Sequence, residues 1–245
     1  MRLSTTCIGD GPRRIGLIHG LGADSTTWEP FIDQLLAVGG VTVFAPDLRG
    51  HGKSDRADSY TVAAFAEDLV DSLPQGLDAV VGHSLGGAVL VSAVSRLRPR
   101  HAVYLDPGFN LGLPTTGLGG RLFWATAPLS LGIAALWTAR RNAAGRTTYP
   151  ERGQQLTKQA QARFDKRMTS AVFRDIAFHA VPVAAPEVPS TIVLSGDSAA
   201  VLPDVLAHQL AGVGWEIRRL PELRHDMQLQ DPAATFAMIR DVLIG

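Results

Sequence analysis

Residues 82–86, with the sequence GHSLG, are the stretch that decides the fold. The apolar run before them, residues 79–82, predicts a strand, and the helix-period segment 85–97 after them predicts a helix. A Gly-x-Ser-x-Gly pattern between a strand and a helix is typical of a sharp turn that raises a serine hydroxyl above the edge of a parallel sheet. Gly82 and Gly86 have no β-carbons, so the helix can pass close to the strand. We therefore predict that Ser84 is a nucleophile.

Strand-like and helix-like segments alternate on both sides of this turn. Predicted strands occupy residues 14–19, 41–46, 79–82, 101–106, 191–195 and 215–220, and predicted helices occupy residues 27–37, 61–73, 85–97, 203–210 and 232–244. Such alternation predicts βαβ units and therefore an α/β fold with a mainly parallel, doubly wound sheet. The strands are almost wholly apolar, as expected when helices cover both faces of the sheet.

The alternation breaks between residues 107 and 189, where no strand is predicted and helical stretches such as 151–164 occur. We interpret residues 107–189 as a helical cap, inserted after the strand that follows the Ser84 helix, and residues 1–106 and 190–245 as the core. The cap is rich in apolar residues, which are Phe109, Leu111, Leu113, Leu118, Leu122, Phe123, Trp124, Leu129, Leu131 and Trp137. Most of these are expected to form the cap's own core. Phe109 and Trp124 are also candidate substrate contacts, which favours an apolar substrate.

Composition argues against several other classes of protein. The chain has 245 residues, of which 46% are hydrophobic and 19% charged, as is typical of a globular protein. Its 23 basic residues balance 23 acidic ones, so no charge excess favours nucleic acid as a partner. Cys7 is the only cysteine, which excludes an internal disulfide and favours a reducing, cytoplasmic location. Proline and glycine interrupt the uncharged segment 122–139, so we expect buried helices there and no stable membrane insertion.

A second glycine-rich turn, residues 19–22 with the sequence HGLG, follows the first predicted strand. A backbone amide from such a turn can join the amide that follows the nucleophile in holding a developing oxyanion. Leu21 and Leu85, the latter at the start of the predicted helix, are therefore the candidate oxyanion donors. The candidate substrate contacts in the two turns are His19, Gly20 and His83, the last of which is expected to point away from the serine.

Three motifs together resemble a known family. They are HGLG at residues 19–22, DLRGHGKS at residues 47–54 and GHSLGG at residues 82–87, in this order. The chain resembles the α/β-hydrolase superfamily, in its capped branch, over nearly its whole length outside the cap. The resemblance implies the α/β-hydrolase fold and either hydrolysis of esters, thioesters, lactones or C–C bonds or perhydrolysis. Members with an aspartate nucleophile are disfavoured by Ser84. The loop 47–54, with Arg49, His51 and Ser54, is mostly architectural in such proteins.

A serine nucleophile needs a base, and His225 is the candidate among the seven histidines. It lies between the last predicted strand and the last predicted helix, which agrees with the order serine, acid, histidine expected for this fold. The segment 224–227, followed by Asp231 and Pro232, resembles the histidine loop of the family. For His101, His179 and His208 we expect ordinary packing or surface roles.

The acid that would orient His225 has two candidates. Members of the family usually carry a Gly-x-x-Asp pattern after the strand that ends here near residue 195, but residues 196–199 read GDSA, with Ala199 at the expected position. Asp197 lies two residues before that position. Asp106 ends the strand after the nucleophile, a position that some members use. We favour Asp106, because sites on open α/β sheets form at the carboxyl ends of the strands.

These residues predict a carboxylesterase-like serine hydrolase. It would form an acyl-enzyme on a small, ester-like, apolar substrate and would need no metal or organic cofactor. Three alternatives remain open. The same residues could perform C–C hydrolysis, lactone opening or perhydrolysis; the chain could be a non-catalytic, ligand-binding member of the fold; or it could be a lipase that works at a membrane surface. The sequence predicts no oligomeric state.

Overall fold

One seven-stranded sheet organises the part of the chain that the structure describes. The computed structural model describes residues 1–126 and 148–245. The strands are β1 (Thr5–Gly9), β2 (Arg13–Ile18), β3 (Val41–Pro46), β4 (Ala79–His83), β5 (His101–Leu105), β6 (Ser190–Ser195) and β7 (Glu216–Leu220). Their order across the sheet is β1-β3-β2-β4-β5-β6-β7. Only β1 runs antiparallel to its neighbour, so the predicted mainly parallel sheet is confirmed.

The edge strand β1 is not predicted from the sequence. Its five residues are all exposed or half-buried, so they show none of the apolar runs that mark the other strands. β1 pairs with β3 from Thr5 opposite Pro46 to Gly9 opposite Thr42. Backbone pairing at a sheet edge needs no apolar side chains, which is why the hydrophobic pattern does not reveal this strand.

Helices connect the strands, and several begin at capping residues. The helices are α1 (Glu29–Val38), α2 (Val62–Ser72), α3 (Leu85–Leu97), α4 (Gly117–Ala125), α5 (Glu151–Arg163), α6 (Met168–Phe178), α7 (Asp204–Gly212), α8 (Met227–Gln230) and α9 (Pro232–Ile244). A short 3-10 helix, Ser25–Trp28, precedes α1. The Thr61 side chain accepts a hydrogen bond from the Ala64 amide at the start of α2. Such a cap satisfies an amide that has no partner within the helix.

Each face of the sheet has its own hydrophobic core. Consecutive residues of a strand point to opposite faces, so Val80 and Val81 belong to different cores. One core contains Phe65 of α2 and Leu90 of α3, whereas the other contains Phe31 of α1 with residues of α9. Helices therefore cover both faces, and the carboxyl ends of β4 and β5 meet at one edge of the sheet, where polar side chains can gather.

The described residues between β5 and β6 form three helices, α4, α5 and α6, and no strand. Polar contacts join α5 and the turn that follows it to the core. Arg163 Nε donates to Asp24 Oδ2 at 2.9 Å, and the Tyr60 hydroxyl donates to Asp165 Oδ2 at 2.9 Å. Both carboxylates are buried. In the turn between α5 and α6, the ring of Phe164 stacks on His51, with 5.6 Å between the ring centroids.

Part of the predicted cap lies outside the described residues. This applies to Leu129, Leu131, Trp137 and residues 127–139 of the uncharged segment. Leu118 and Leu122 on α4 are 83% and 66% exposed, so within the described part of the chain they do not contribute to a core, contrary to the expectation for the cap. None of the helices in residues 1–126 and 148–245 has the length and apolar character needed to cross a membrane.

Candidate active site

Ser84 occupies the sharp turn between β4 and α3. Its backbone φ of 52° lies in the left-handed region, which a residue with a side chain adopts only when the surrounding structure imposes it. Here the Ser84 amide donates to Leu105 O, and Ser84 O accepts from the Gly108 amide, both at 3.0 Å. A β-carbon on Gly86 would overlap the backbone carbonyl of Ile18. The two glycines of the motif thus permit the close packing predicted from the sequence.

The structure brings Ser84, His225 and Asp106 together from three separate elements. His225 Nε2 lies 3.0 Å from Ser84 Oγ, and His225 Nδ1 lies 3.1 Å from Asp106 Oδ2. The Asp106 side chain is fully buried, whereas the His225 side chain is 28% exposed. A proton on Nδ1 can therefore be donated to the carboxylate, which leaves the Nε2 lone pair facing the serine hydroxyl.

The two candidate acids have different partners. Asp106 bonds to His225 and also accepts a hydrogen bond from the Ser195 amide at 2.7 Å. Asp197 Oδ2 instead accepts from Arg224 Nε at 2.9 Å. Both members of this ion pair are about one-third exposed. Of the two carboxylates, Asp106 is thus the one that bonds to the imidazole nitrogen opposite Ser84.

The backbone amides of Leu21 and Leu85, the two predicted oxyanion donors, lie in the turns next to Ser84. Leu85 is the first residue of α3, so its amide lies at the positive end of the helix dipole. The Gly22 amide donates to His51 Nε2 at 3.1 Å. Within residues 1–126 and 148–245, the amides of Leu21 and Leu85 have no hydrogen-bond acceptor.

The sequence of the chain matches a protein-family model over most of its length. The model of the alpha/beta hydrolase family matches residues 17–238. The chain belongs to the alpha/beta hydrolase family. The matched range includes the motifs at residues 19–22, 47–54 and 82–87 and every residue of the Ser84–His225–Asp106 cluster.

Three curated relatives match segments of this alpha/beta hydrolase. Lipase LipV of Mycobacterium tuberculosis is 36% identical over 107 residues, which are 41% of this chain and 40% of the lipase. The 2-(acetamidomethylene)succinate hydrolase of Mesorhizobium japonicum is 35% identical over 92 residues, which are 36% of this chain and 32% of that enzyme. An uncharacterized protein of Mycobacterium tuberculosis is 51% identical over 86 residues, 33% of this chain and 24% of its own length. The aligned segment thus spans less than half of each of these relatives.

Solved structures share the fold over the whole chain. The enol-lactonase from Burkholderia xenovorans LB400 has a TM-score of 0.76 at 20% identity, and covers 99% of this chain and 96% of its own. A hydrolase from Oleispira antarctica has a TM-score of 0.78 at 17% identity, and covers 100% of this chain and 96% of its own. At this identity the likeness concerns the alpha/beta hydrolase fold alone.

Three buried histidines support the turns of this alpha/beta hydrolase. His19 Nδ1 bonds to Gly20 O at 2.8 Å, and its Nε2 accepts from the Leu48 amide at 2.9 Å. Burial lowers the pKa of His19. Burial, with a smaller effect of His19, lowers the pKa of His51 to about 3, and burial lowers that of His83 to about 4. At neutral pH these rings are therefore neutral hydrogen-bonding groups.

The contact that His83 makes with His225 is not predicted from the sequence. Its Nε2 donates to the backbone carbonyl of His225 at 2.9 Å, and the two ring centroids are 4.8 Å apart. His83 is expected from its position in the motif to point away from Ser84, but the motif does not reveal which group it would meet. The contact joins the residue before Ser84 to the loop that carries His225.

The other candidate substrate contacts occupy different environments. Gly20 lies against the serine, since a β-carbon on it would be 3.1 Å from Ser84 Cβ. Phe109 is fully buried against Tyr104, with ring centroids 5.5 Å apart. Trp124 is half-buried, and its Nε1 donates to Pro114 O at 2.7 Å. Gly20 thus borders the site, whereas the Phe109 ring belongs to the core.

The remaining histidines bond elsewhere. His101 bonds to Thr191 at 2.9 Å and His208 to Asp204 O at 2.8 Å, while His179 lies 3.1 Å from Asp175. In residues 1–126 and 148–245, no group of three or more histidine, cysteine or acidic side chains could hold a metal ion.

Proposed function

We propose that this alpha/beta hydrolase is a serine hydrolase that cleaves a carboxylic ester or a related acyl substrate. In this proposal Ser84 is the nucleophile, His225 the general base and Asp106 the acid that orients the imidazole. The observation that carries it is the unbroken chain of contacts from Ser84 Oγ to His225 Nε2 and from His225 Nδ1 to Asp106 Oδ2, at 3.0 and 3.1 Å. Both distances allow a direct hydrogen bond.

The proposed reaction is acyl transfer in two steps. His225 Nε2 takes the hydroxyl proton while Ser84 Oγ attacks the carbonyl carbon, and the buried Asp106 carboxylate stabilises the imidazolium. The imidazolium then gives this proton to the leaving alcohol as the ester bond breaks, which leaves an acyl-enzyme. Water attacks the acyl carbon in the second step, again with His225 as the base, and releases the acid and free Ser84.

The amides of Leu21 and Leu85 are proposed to hold the oxyanion of both tetrahedral intermediates. Support comes from their position in the two turns that flank Ser84 and from the lack of another acceptor in the described chain. The loss of one such donor typically reduces kcat by about 100- to 1,000-fold. The neighbouring Gly22 amide is already bonded to His51, so it is a poorer candidate.

We propose an apolar acyl group for the substrate. The segment between β5 and β6 carries half of the exposed large apolar side chains of the described chain, including Leu118, Leu122 and Phe178. The partial relative named lipase LipV and the solved esterases of the same fold agree with ester hydrolysis. Lactone opening remains an alternative for the same three residues, since one structural neighbour is described as an N-acyl homoserine lactone degrading enzyme.

A fluorophosphonate probe tests the nucleophile directly. The purified chain should be labelled covalently and should hydrolyse p-nitrophenyl esters, with kcat/KM rising as the acyl chain lengthens from acetate to octanoate. Ser84→Ala should abolish labelling and lower kcat by at least about 10⁴-fold. Ser92→Ala, on the same helix and bonded only to its own backbone turn, is the matched control and should retain both.

Three outcomes would count against this assignment. Labelling that survives Ser84→Ala would place the nucleophile elsewhere, and absence of both labelling and turnover would favour a ligand-binding member of the fold. Turnover of γ-lactones at rates far above those of all the esters would favour lactone opening.

A further inference from the structure

Ser195, the last residue of β6, lies against the Asp106 carboxylate. Its amide donates to Asp106 Oδ1 at 2.7 Å, and its hydroxyl donates to Asp106 Oδ2 through a short hydrogen bond. The hydroxyl also accepts a hydrogen bond from the Asp197 amide at 3.1 Å, which orients its proton towards the carboxylate. Ser195 is buried, so water does not compete for these bonds. Both oxygens of the carboxylate are therefore held by one residue.

The same carboxylate oxygen faces the candidate base. Asp106 Oδ2 accepts from Ser195 Oγ and from His225 Nδ1, the latter at 3.1 Å. Rotation of the carboxylate about its Cβ–Cγ bond would break both serine contacts together with the imidazole contact. The orientation in which Oδ2 meets His225 is thus the orientation that Ser195 stabilises.

The turn after Ser195 also contacts the loop before His225. The Gly196 amide donates to Leu223 O at 2.9 Å, and Asp197 Oδ2 accepts from Arg224 Nε at 2.9 Å. A short segment at the end of β6 therefore holds the acid on one side and the backbone next to the base on the other.

We propose that Ser195 is a positioning residue, which fixes the Asp106 carboxylate in the orientation that His225 requires. This inference rests on the proposed function, because it concerns the efficiency of the same three residues. In this proposal Ser195 contacts neither the substrate nor the proton that His225 transfers, and it affects catalysis only by orienting Asp106. Loss of its hydroxyl should therefore lower kcat and leave KM nearly unchanged, since substrate binding does not involve the carboxylate.

The pair Ser195→Thr and Ser195→Val isolates the hydroxyl. Threonine and valine have almost the same shape, and both suit a strand, but only threonine retains the donor. We expect kcat for p-nitrophenyl butyrate to be about 10- to 100-fold lower in Ser195→Val than in Ser195→Thr, as for loss of a hydrogen bond to a charged group, with KM within about twofold. Ser190→Ala, which removes a hydroxyl at the other end of β6, is the control and should keep wild-type kcat.

A double-mutant cycle tests whether Ser195 acts through Asp106. In the Asp106→Asn background, the threonine and valine variants should have the same kcat. Equal kcat for the two variants in the wild-type background would overturn the inference, and so would an undiminished difference in the Asp106→Asn background. A failure of the proposed function would be recognised by a different result: the wild type would not hydrolyse esters, or Ser84→Ala would still hydrolyse them.

Discussion

The imidazole of His83 donates a hydrogen bond from Nε2 to the backbone carbonyl of His225, at 2.9 Å. Residues 83 and 225 are far apart in sequence, yet this bond fixes the candidate base relative to the strand that carries Ser84. Burial lowers the pKa of His83 to about 4, so at neutral pH the ring is neutral and its single proton serves this contact. His83 is only 3% exposed, which suits a supporting role.

His83→Phe retains a ring of similar size but removes the donor. We expect kcat to fall about three- to tenfold through looser placement of His225, while KM stays within about twofold. Steady-state kinetics on a p-nitrophenyl ester provide the measurement, and His83→Gln, whose amide can donate, should recover part of the loss. A higher KM with unchanged kcat would instead make His83 a substrate contact.

Asp106→Asn and Asp197→Asn distinguish the two acids. Asp106→Asn should lower kcat by about 10³- to 10⁴-fold, because an amide cannot stabilise the imidazolium. Asp197→Asn removes an ion pair whose two side chains are about one-third exposed, and such pairs contribute little, so we expect a loss of no more than about fivefold. The reverse ranking of the two variants would move the acid to Asp197.

Gly20→Ala tests the close approach of the two turns. A β-carbon at this position would lie 3.0 Å from His83 Nδ1 and 3.1 Å from Ser84 Cβ, so the neighbouring atoms must move by a few tenths of an ångström. Small displacements of reacting groups are costly, and we expect kcat/KM to fall about 10- to 100-fold. Gly212→Ala, where a β-carbon meets open space, is the control. Wild-type activity in Gly20→Ala would show that the turns tolerate the shift.

Buried neutral histidines should make the fold sensitive to acid. The folded-state pKa of His51 is about 3 and that of His83 about 4, below the ordinary 6.5, so the unfolded chain binds protons first as the pH falls. The free energy of unfolding should therefore decrease below about pH 6.5, by up to about 1.4 kcal/mol per pH unit for each such histidine, and should not change through these groups at higher pH.

Urea unfolding at pH 7.5, 6.0 and 5.0 provides the measurement. In His51→Gln, the number of protons taken up on unfolding at pH 5.0 should be lower than in the wild type by about one, which makes the free energy of unfolding less dependent on pH. Gln209→Ala, which replaces an exposed residue on α7 that does not titrate, should leave that dependence as in the wild type. An identical pH dependence in wild type and His51→Gln would contradict the assignment to His51.

The apolar runs and the GHSLG turn allow most of the sheet to be predicted. The predicted strand at residues 41–46 and the predicted helices at 85–97 and 232–244 have the observed bounds, because buried strands and helices impose a regular spacing of apolar residues. β1 is not predicted because it is held by backbone hydrogen bonds and has no buried side chain that would mark it in the sequence.

The groups around the candidate site could be predicted only in part. Ser84 and His225 follow from local motifs, whereas the choice of Asp106 depends on which carboxylate reaches a loop 119 residues further along the chain. Ser195 and His83 carry no local signal. Their contacts arise from the register of β4, β5 and β6 and from loop conformations, which a single sequence does not specify.

Ser84 and Asp106 follow adjacent strands, and their turns share backbone hydrogen bonds at 3.0 Å. Paired strands therefore position these two residues relative to each other, whereas His225 lies in a separate loop between β7 and α8. If that loop opened locally while the sheet stayed folded, the imidazole would separate from the Ser84 hydroxyl, so activity would be lost without unfolding of the sheet.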